Sequence, residues 1–280
     1  MSAILTSLRR QVTQIDRAVL LLIVAWVLAM ISLPIVRWTL GDEALPAGIT
    51  VGVLLQIAAV FAVGIHAWGF RRTLRAFAVV VVLAWAFEFI GHMTGFPFGE
   101  YDYTERLQPQ IGGVPVLIPL AWLMMLPPSW ALAWRIARRY AGWRRRAVFV
   151  GAAALAMTAW DLFLDPQMVG WSLWVWQDTG GFTYFGIPWI NFAGWLLASG
   201  TITAVVTLTP LAPVRLDADP APSDLFPPVL IVIYIITWLL EAIGQIVFWE
   251  LPATGVVGTL GMGAVLWWGL RSASRPDDGL

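Results

Sequence analysis

The chain contains no cysteine and no lysine, and it has only two histidines, His66 and His92. Without cysteine there are no disulfides, no thiolate metal sites and no cysteine nucleophile. Two histidines are too few for a histidine-rich metal cluster of the membrane desaturase kind. No Walker A loop and no dinucleotide glycine fingerprint occurs. Charge is scarce as well. Charged residues make up 12% of the chain, against about 25% in a soluble domain. The formal net charge is zero, which gives no reason to expect a nucleic-acid partner.

What is abundant is apolar surface. The chain is 59% hydrophobic with a mean hydropathy of +0.77, and its apolar runs reach the roughly 20 residues a membrane-spanning helix needs. The expectation is an all-α, polytopic integral membrane bundle, a single transmembrane domain over residues 1–280. It has about eight helices, near 18–36, 48–70, 74–93, 113–134, 147–165, 187–210, 227–249 and 252–270. The arginines support this count, because basic residues gather in cytoplasmic loops. Fifteen of the seventeen fall on one side of an eight-helix arrangement, in the groups Arg9–Arg17, Arg71–Arg75, Arg135–Arg146, Arg215 and Arg271–Arg275. Only Arg37 and Arg106 fall on the other. Both termini are therefore expected in the cytoplasm. Helices 7 and 8 are separated only by a Glu250–Pro252 turn and could instead form a re-entrant hairpin. The Pro- and Asp-rich 211–226 segment is expected to be flexible, and the 94–112 and 166–186 loops to be outer lids.

Three ionisable residues stand in the apolar runs: Glu88, Asp161 and Glu241. An intramembrane carboxylate costs several kcal/mol on lenient scales, so it faces a bundle interior and marks function by default. Glu88 lies 13 residues beyond Arg75, Asp161 15 beyond Arg146 and Glu241 14 beyond Pro227. At 1.5 Å per residue all three sit roughly 20 Å from the cytoplasmic face. Asn191 enters from the opposite side to a similar level. Each carboxylate has a polar residue four positions on, His92, Asp165 and Gln245 in turn, which places both members of a pair on one helix face. Carboxyl groups crowded at one depth cannot all ionise cheaply, and a neutral acid beside an ionised one suits general acid and base work. The competing reading is polar glue between helices, and Asp165, followed by Pro166, could simply end helix 5 at the interface. Of the eighteen tryptophans, Trp171, Trp174 and Trp176 fit an interfacial belt. Trp85, Trp122, Trp160, Trp195 and Trp238 fall within helices, where packing is the default reading. Aromatic faces there could also line a long apolar ligand or stabilise a cation.

Three strings carry more detail than membrane burial demands: EFIGHMTGFPFGEYDYTERLQPQIGGVPVLIPLAW from Glu88, DLFLDPQMVGWSLWVW from Asp161, and GGFTYFGIPWINFAGW ending at Trp195. Over residues 80–200 the chain resembles the carotenoid biosynthesis protein family, whose characterised members are hydratases acting on γ-carotene-like or bisanhydrobacterioruberin-like substrates. The resemblance implies addition of water to a terminal isopropylidene double bond (C1–C2 type), giving a tertiary alcohol, with no cofactor. The carboxylates with His92 could hold a cation, but one histidine at membrane depth suits proton chemistry better than a metal. It implies a carotenoid and water as partners, in the lipid bilayer of a bacterial or archaeal cytoplasmic membrane and alongside other enzymes of the carotenoid pathway. On this reading Asp161 or Glu88 is the general acid. The partner carboxylate, with Asn191 and Glu241, holds and deprotonates the water. Asp165, Gln245, Trp160 and Trp195 complete the site, and His92, Tyr101 and Tyr103 either gate its outer mouth or complete its hydrogen-bond network. A carotenoid cyclase or prenyl transferase, or a proton-coupled transporter, are the alternatives.

Overall fold

A computed structural model describes residues 16–177, 181–208, 212, 216 and 225–273. Arg9, Arg10, Arg215, Arg275 and most of the 211–226 segment lie outside them. Among the described residues, eight helices are long and apolar enough to cross a membrane: α1 (Arg17–Leu40), α2 (Leu45–Trp68), α3 (Phe70–Thr94), α4 (Leu117–Ala137), α5 (Gly142–Gly170), α6 (Trp189–Leu208), α7 (Pro228–Ile243) and α8 (Pro252–Ala273). The chain is an integral membrane protein. α7 is prolonged by a π-helical turn, Gly244–Phe248, so α7 and α8 both attain spanning length.

The bundle is built around α4. Four-fifths of its most apolar stretch (83%) is buried, against 28% for α1, so α4 is the axis and α1 a lipid-facing wall. α4 packs against α2, α3, α5, α7 and α8. α1 leans on α2 and turns Leu21, Leu28 and Ile31 outward.

Helix boundaries differ from the sequence expectation at two places that matter for the site. α4 starts at Leu117, not near 113, because β2 (Gln110–Ile111) and β3 (Val114–Pro115) first form a short hairpin. α5 does not end at Asp165 but continues through Pro166 to Gly170. Proline cannot donate to the carbonyl four residues earlier, here Leu162, and the hydroxyl of Tyr184 donates to that oxygen instead, at 3.1 Å. Inside a bundle such a replacement lets a helix run through proline.

The two long loops meet. β1 (Tyr101–Tyr103) pairs antiparallel with β4 (Trp174–Trp176), Tyr101 opposite Trp176 and Tyr103 opposite Trp174. Strand side chains alternate between faces, so Asp102 and Val175 turn out while Tyr101, Trp174 and Trp176 are buried. Trp171, Trp174 and Trp176 are therefore not an interfacial belt. They are at most 8% exposed and roof the interior. A third hairpin, β5 (Thr183–Tyr184) with β6 (Ile187–Pro188), leads into α6.

Candidate functional site: an aromatic cavity with two polar poles

Beneath this roof lies a part-enclosed, mostly apolar cavity with an empty volume of about 1090 Å³, its mouth included. α1 to α7 all contribute to its wall, α3 through Glu88, along with the 98–107 loop and the tryptophans of β4.

Two glycines bring the walls together. Phe98, from the PFG string, is wedged between α3 and α6. A Cβ at Gly91 would come within 2.7 Å of the Phe98 ring, and one at Gly194 within 2.6 Å of the same ring. Only the absence of a side chain allows so close an approach. Seated there, the loop delivers Tyr101 and Tyr103 onto Glu88.

Glu88 is 5% exposed and surrounded by donors. Tyr101 and Tyr103 both donate to Oε2 at 2.7 Å. Trp122 donates its indole N–H to Oε1 at 3.2 Å. Three donors on two oxygens is a cradle for an acceptor. Burial, and secondly the charge of Glu88, hold both phenols well above the ordinary tyrosine range, so they remain donors.

Asp161 and Asp165 form the second part of this pole. They stand one turn apart on α5. The Asn191 amide donates to both, to Asp161 Oδ2 at 2.9 Å and also to Asp165 Oδ2. Two carboxyls that share one donor are held side by side. Glu88 is near enough for its charge to act on both. Asp165 lines the cavity. Asp161, fully buried behind it, does not, and its Oδ1 has no hydrogen-bond partner.

Glu241 also lines the cavity, apart from that cluster and beside Trp160. Its one neighbouring donor among the described residues is the Trp160 indole N–H, which points to it without completing a hydrogen bond. Between the two poles runs an aromatic wall. Trp122, already bonded to Glu88, stacks on Trp195 with centroids 4.7 Å apart and planes at 10°. Trp160 meets Trp195 edge-on at 6.0 Å.

Two sequence candidates lie elsewhere. His92 sits in the last turn of α3, 3.7 Å from Asp102 of the outer loop and outside the cavity wall. Gln245 ties α7 to α5 and α8, donating to Phe163 O at 2.6 Å and accepting from Thr254 at 2.8 Å. The i, i+4 rule placed these residues on the faces of Glu88 and Glu241, but the wider register turns them away from the cavity. Sequence reasoning passed over Trp122, Trp174 and Gln56 as functional residues. Trp122 closes the first motif string, and Gln56 is a lone amide in an apolar run, so both left a signal.

The sequence profile of a family described as "Carotenoid biosynthesis protein" matches residues 48–266. A bisanhydrobacterioruberin hydratase from Haloarcula japonica is 29% identical over 138 residues, which is 49% of this chain and 45% of the relative. The match thus spans less than half of that relative's length. No solved structure matches.

Proposed function

From the premise that the chain belongs to the carotenoid biosynthesis protein family, we propose that it is a carotenoid hydratase, adding water across the terminal C1–C2 double bond of an acyclic carotenoid end. The observation that carries this reading is the pairing, at one apolar cavity, of two carboxyls bridged by one amide with a wall of stacked indoles. Hydrating an unactivated alkene needs a neutral acid and a surface that tolerates a tertiary cation.

Asp165, holding the proton it shares with Asp161, gives it to C2. The C1–C2 π electrons form the new C–H bond, and C1 becomes a tertiary cation. The indole faces of Trp122 and Trp195 stabilise that cation by cation–π attraction, worth about 2 kcal/mol or more when desolvated. Glu88, kept as an acceptor by its three donors, adds negative charge nearby. Water oxygen then bonds to C1, one water O–H bond breaks, and its proton passes to a carboxylate and returns to the aspartate pair. The polyene extends along the apolar wall, and only its isopropylidene end reaches the carboxyls. Asp161 serves as a positioning residue through Asp165 and Asn191. The setting is a bacterial or archaeal cytoplasmic membrane, with the arginine-rich end in the cytoplasm.

Expression in a host that makes acyclic-ended carotenoids, followed by pigment mass spectrometry, tests the proposal. The expected outcome is a gain of one water per modified end. Pigment of unchanged mass but altered absorption would replace hydration by cyclisation, and unaltered pigment would remove the enzyme reading.

A further inference from the structure

The cavity has a second polar pole that the proton-transfer step does not use. Gln56, on α2, is 2% exposed and lines the cavity. Its Nε2 donates to the Met124 carbonyl at 3.4 Å and to Thr237 Oγ1 at 3.1 Å. A carbonyl can only accept, so this contact fixes which way the amide points. The remaining atom, Oε1, accepts no hydrogen bond among the described residues, and it belongs to a buried side chain on the cavity wall. Thr237 stands one turn before Glu241, on the same face of α7, and its own hydroxyl is spent on Ile233 O at 3.0 Å. Gln56 and Glu241 thus offer two acceptors on the cavity wall, and among the described residues neither accepts a full hydrogen bond, the Trp160 indole N–H standing beside Glu241 without completing one.

We infer that Gln56 Oε1 and Glu241 hold the nucleophilic water, and, after reaction, the product's tertiary hydroxyl. The inference rests on the hydratase reading. A water that donates one O–H to each acceptor keeps its lone pairs free, and they face the only other thing in the cavity, the carotenoid end on the Trp160–Trp195 wall. When C1 becomes cationic, a lone pair forms the C1–O bond. The O–H bond directed at Glu241 breaks, and Glu241 takes that proton. Acid and base then occupy opposite ends of the aromatic wall, so the proton delivered by Asp165 is not recaptured before water adds. Gln56 positions the water, and Glu241 is its base.

The steps can be separated by isotope. Membranes holding wild type, Gln56→Leu or Glu241→Gln are supplied with an acyclic-ended carotenoid in D2O. Alcohol is measured by mass, and deuterium at C2 of the recovered carotenoid by NMR. In both variants alcohol formation should fall by about 100-fold. Deuterium exchange at C2, or migration of the double bond to a terminal methyl, should continue, because the cation still forms and now returns by losing a proton. Alcohol formed at the wild-type rate in either variant overturns the inference, as does loss of exchange together with alcohol. Should Gln56→Leu fail to accumulate, Glu241→Gln decides alone, since it is isosteric and breaks no protein hydrogen bond. A wild type that hydrates no acyclic end removes the hydratase reading and this site with it. A hydrating wild type with unaffected variants removes only the site.

Discussion

Tyr184 donates its hydroxyl to the carbonyl of Leu162 at 3.1 Å, the carbonyl that Pro166 leaves without its helical partner. This one bond ties the TYFG string to the DP string and lets α5 carry Asp165 into the cavity instead of ending there. Tyr184→Phe should leave that oxygen unsatisfied, at about 1–3 kcal/mol. Thermal unfolding in detergent should report the loss. Hydration should fall more steeply than the loss of folded protein explains, because Asp165 loses its register. Unchanged stability and turnover would make the bond incidental.

The aspartate pair makes a separate demand. Asp165→Asn removes the proton donor at the cavity wall, and Asp161→Asn removes the partner that shares the proton. Each should lower hydration by about 10²- to 10⁴-fold while the protein still accumulates in the membrane. Asn191→Leu should be as damaging, since it strips both carboxyls of their common donor. Alcohol yield per unit of membrane protein is the measurement. Near-normal turnover of Asp165→Asn would end its role as acid.

How much of this is legible without coordinates follows from what each signal depends on. Eight helices are written in local composition, because lipid imposes an apolar run of fixed length on every span. Counting residues predicts one depth for Glu88, Asp161 and Glu241. It does not say what they touch. Trp174 and Trp176 look like belt residues because the pairing of β1 with β4 joins loops some seventy residues apart. Asp165 looks like a helix end because the proline beside it is visible and its rescue by Tyr184 is not. His92 and Gln245 satisfy helical spacing, yet neighbouring elements claim them first. Contacts between strings far apart in the chain are set by packing, and a single sequence does not show them.

The phenols beneath the roof give a pH signature. Burial, followed by the charge of Glu88, holds Tyr101 and Tyr103 well above the usual tyrosine value. The unfolded chain therefore releases these protons first. With fewer protons bound in the unfolded state, stability falls as pH rises above about 10. Below that both states keep the protons, and stability from this source is flat. The double variant Tyr101→Phe with Tyr103→Phe should lose stability at neutral pH, having given up two donors to Glu88, and its decline above about pH 10 should be shallower. Equal slopes for variant and wild type, in unfolding followed from pH 8 to 12, would place the alkaline transition elsewhere.

Gly91 and Gly194 offer a test of how the roof is seated. At Gly91 the first obstacle to a methyl group is the Phe98 ring at 2.7 Å, followed by the Tyr101 hydroxyl at 3.2 Å. Gly91→Ala should therefore destabilise by about 1–3 kcal/mol, the usual penalty for overpacking, and should push Tyr101 away from Glu88. At Gly194 a backbone oxygen, that of Pro97, stands 2.7 Å from the added Cβ, in addition to the same ring. Backbone yields less readily than a side chain. Shrinking the ring with Phe98→Leu should then restore much of the stability and turnover of Gly91→Ala but little of Gly194→Ala. Thermal unfolding and alcohol yield of the two double variants would read this difference. Equal rescue at both positions would mean that Phe98 alone sets the fit, and that the loop's backbone is free to move with it.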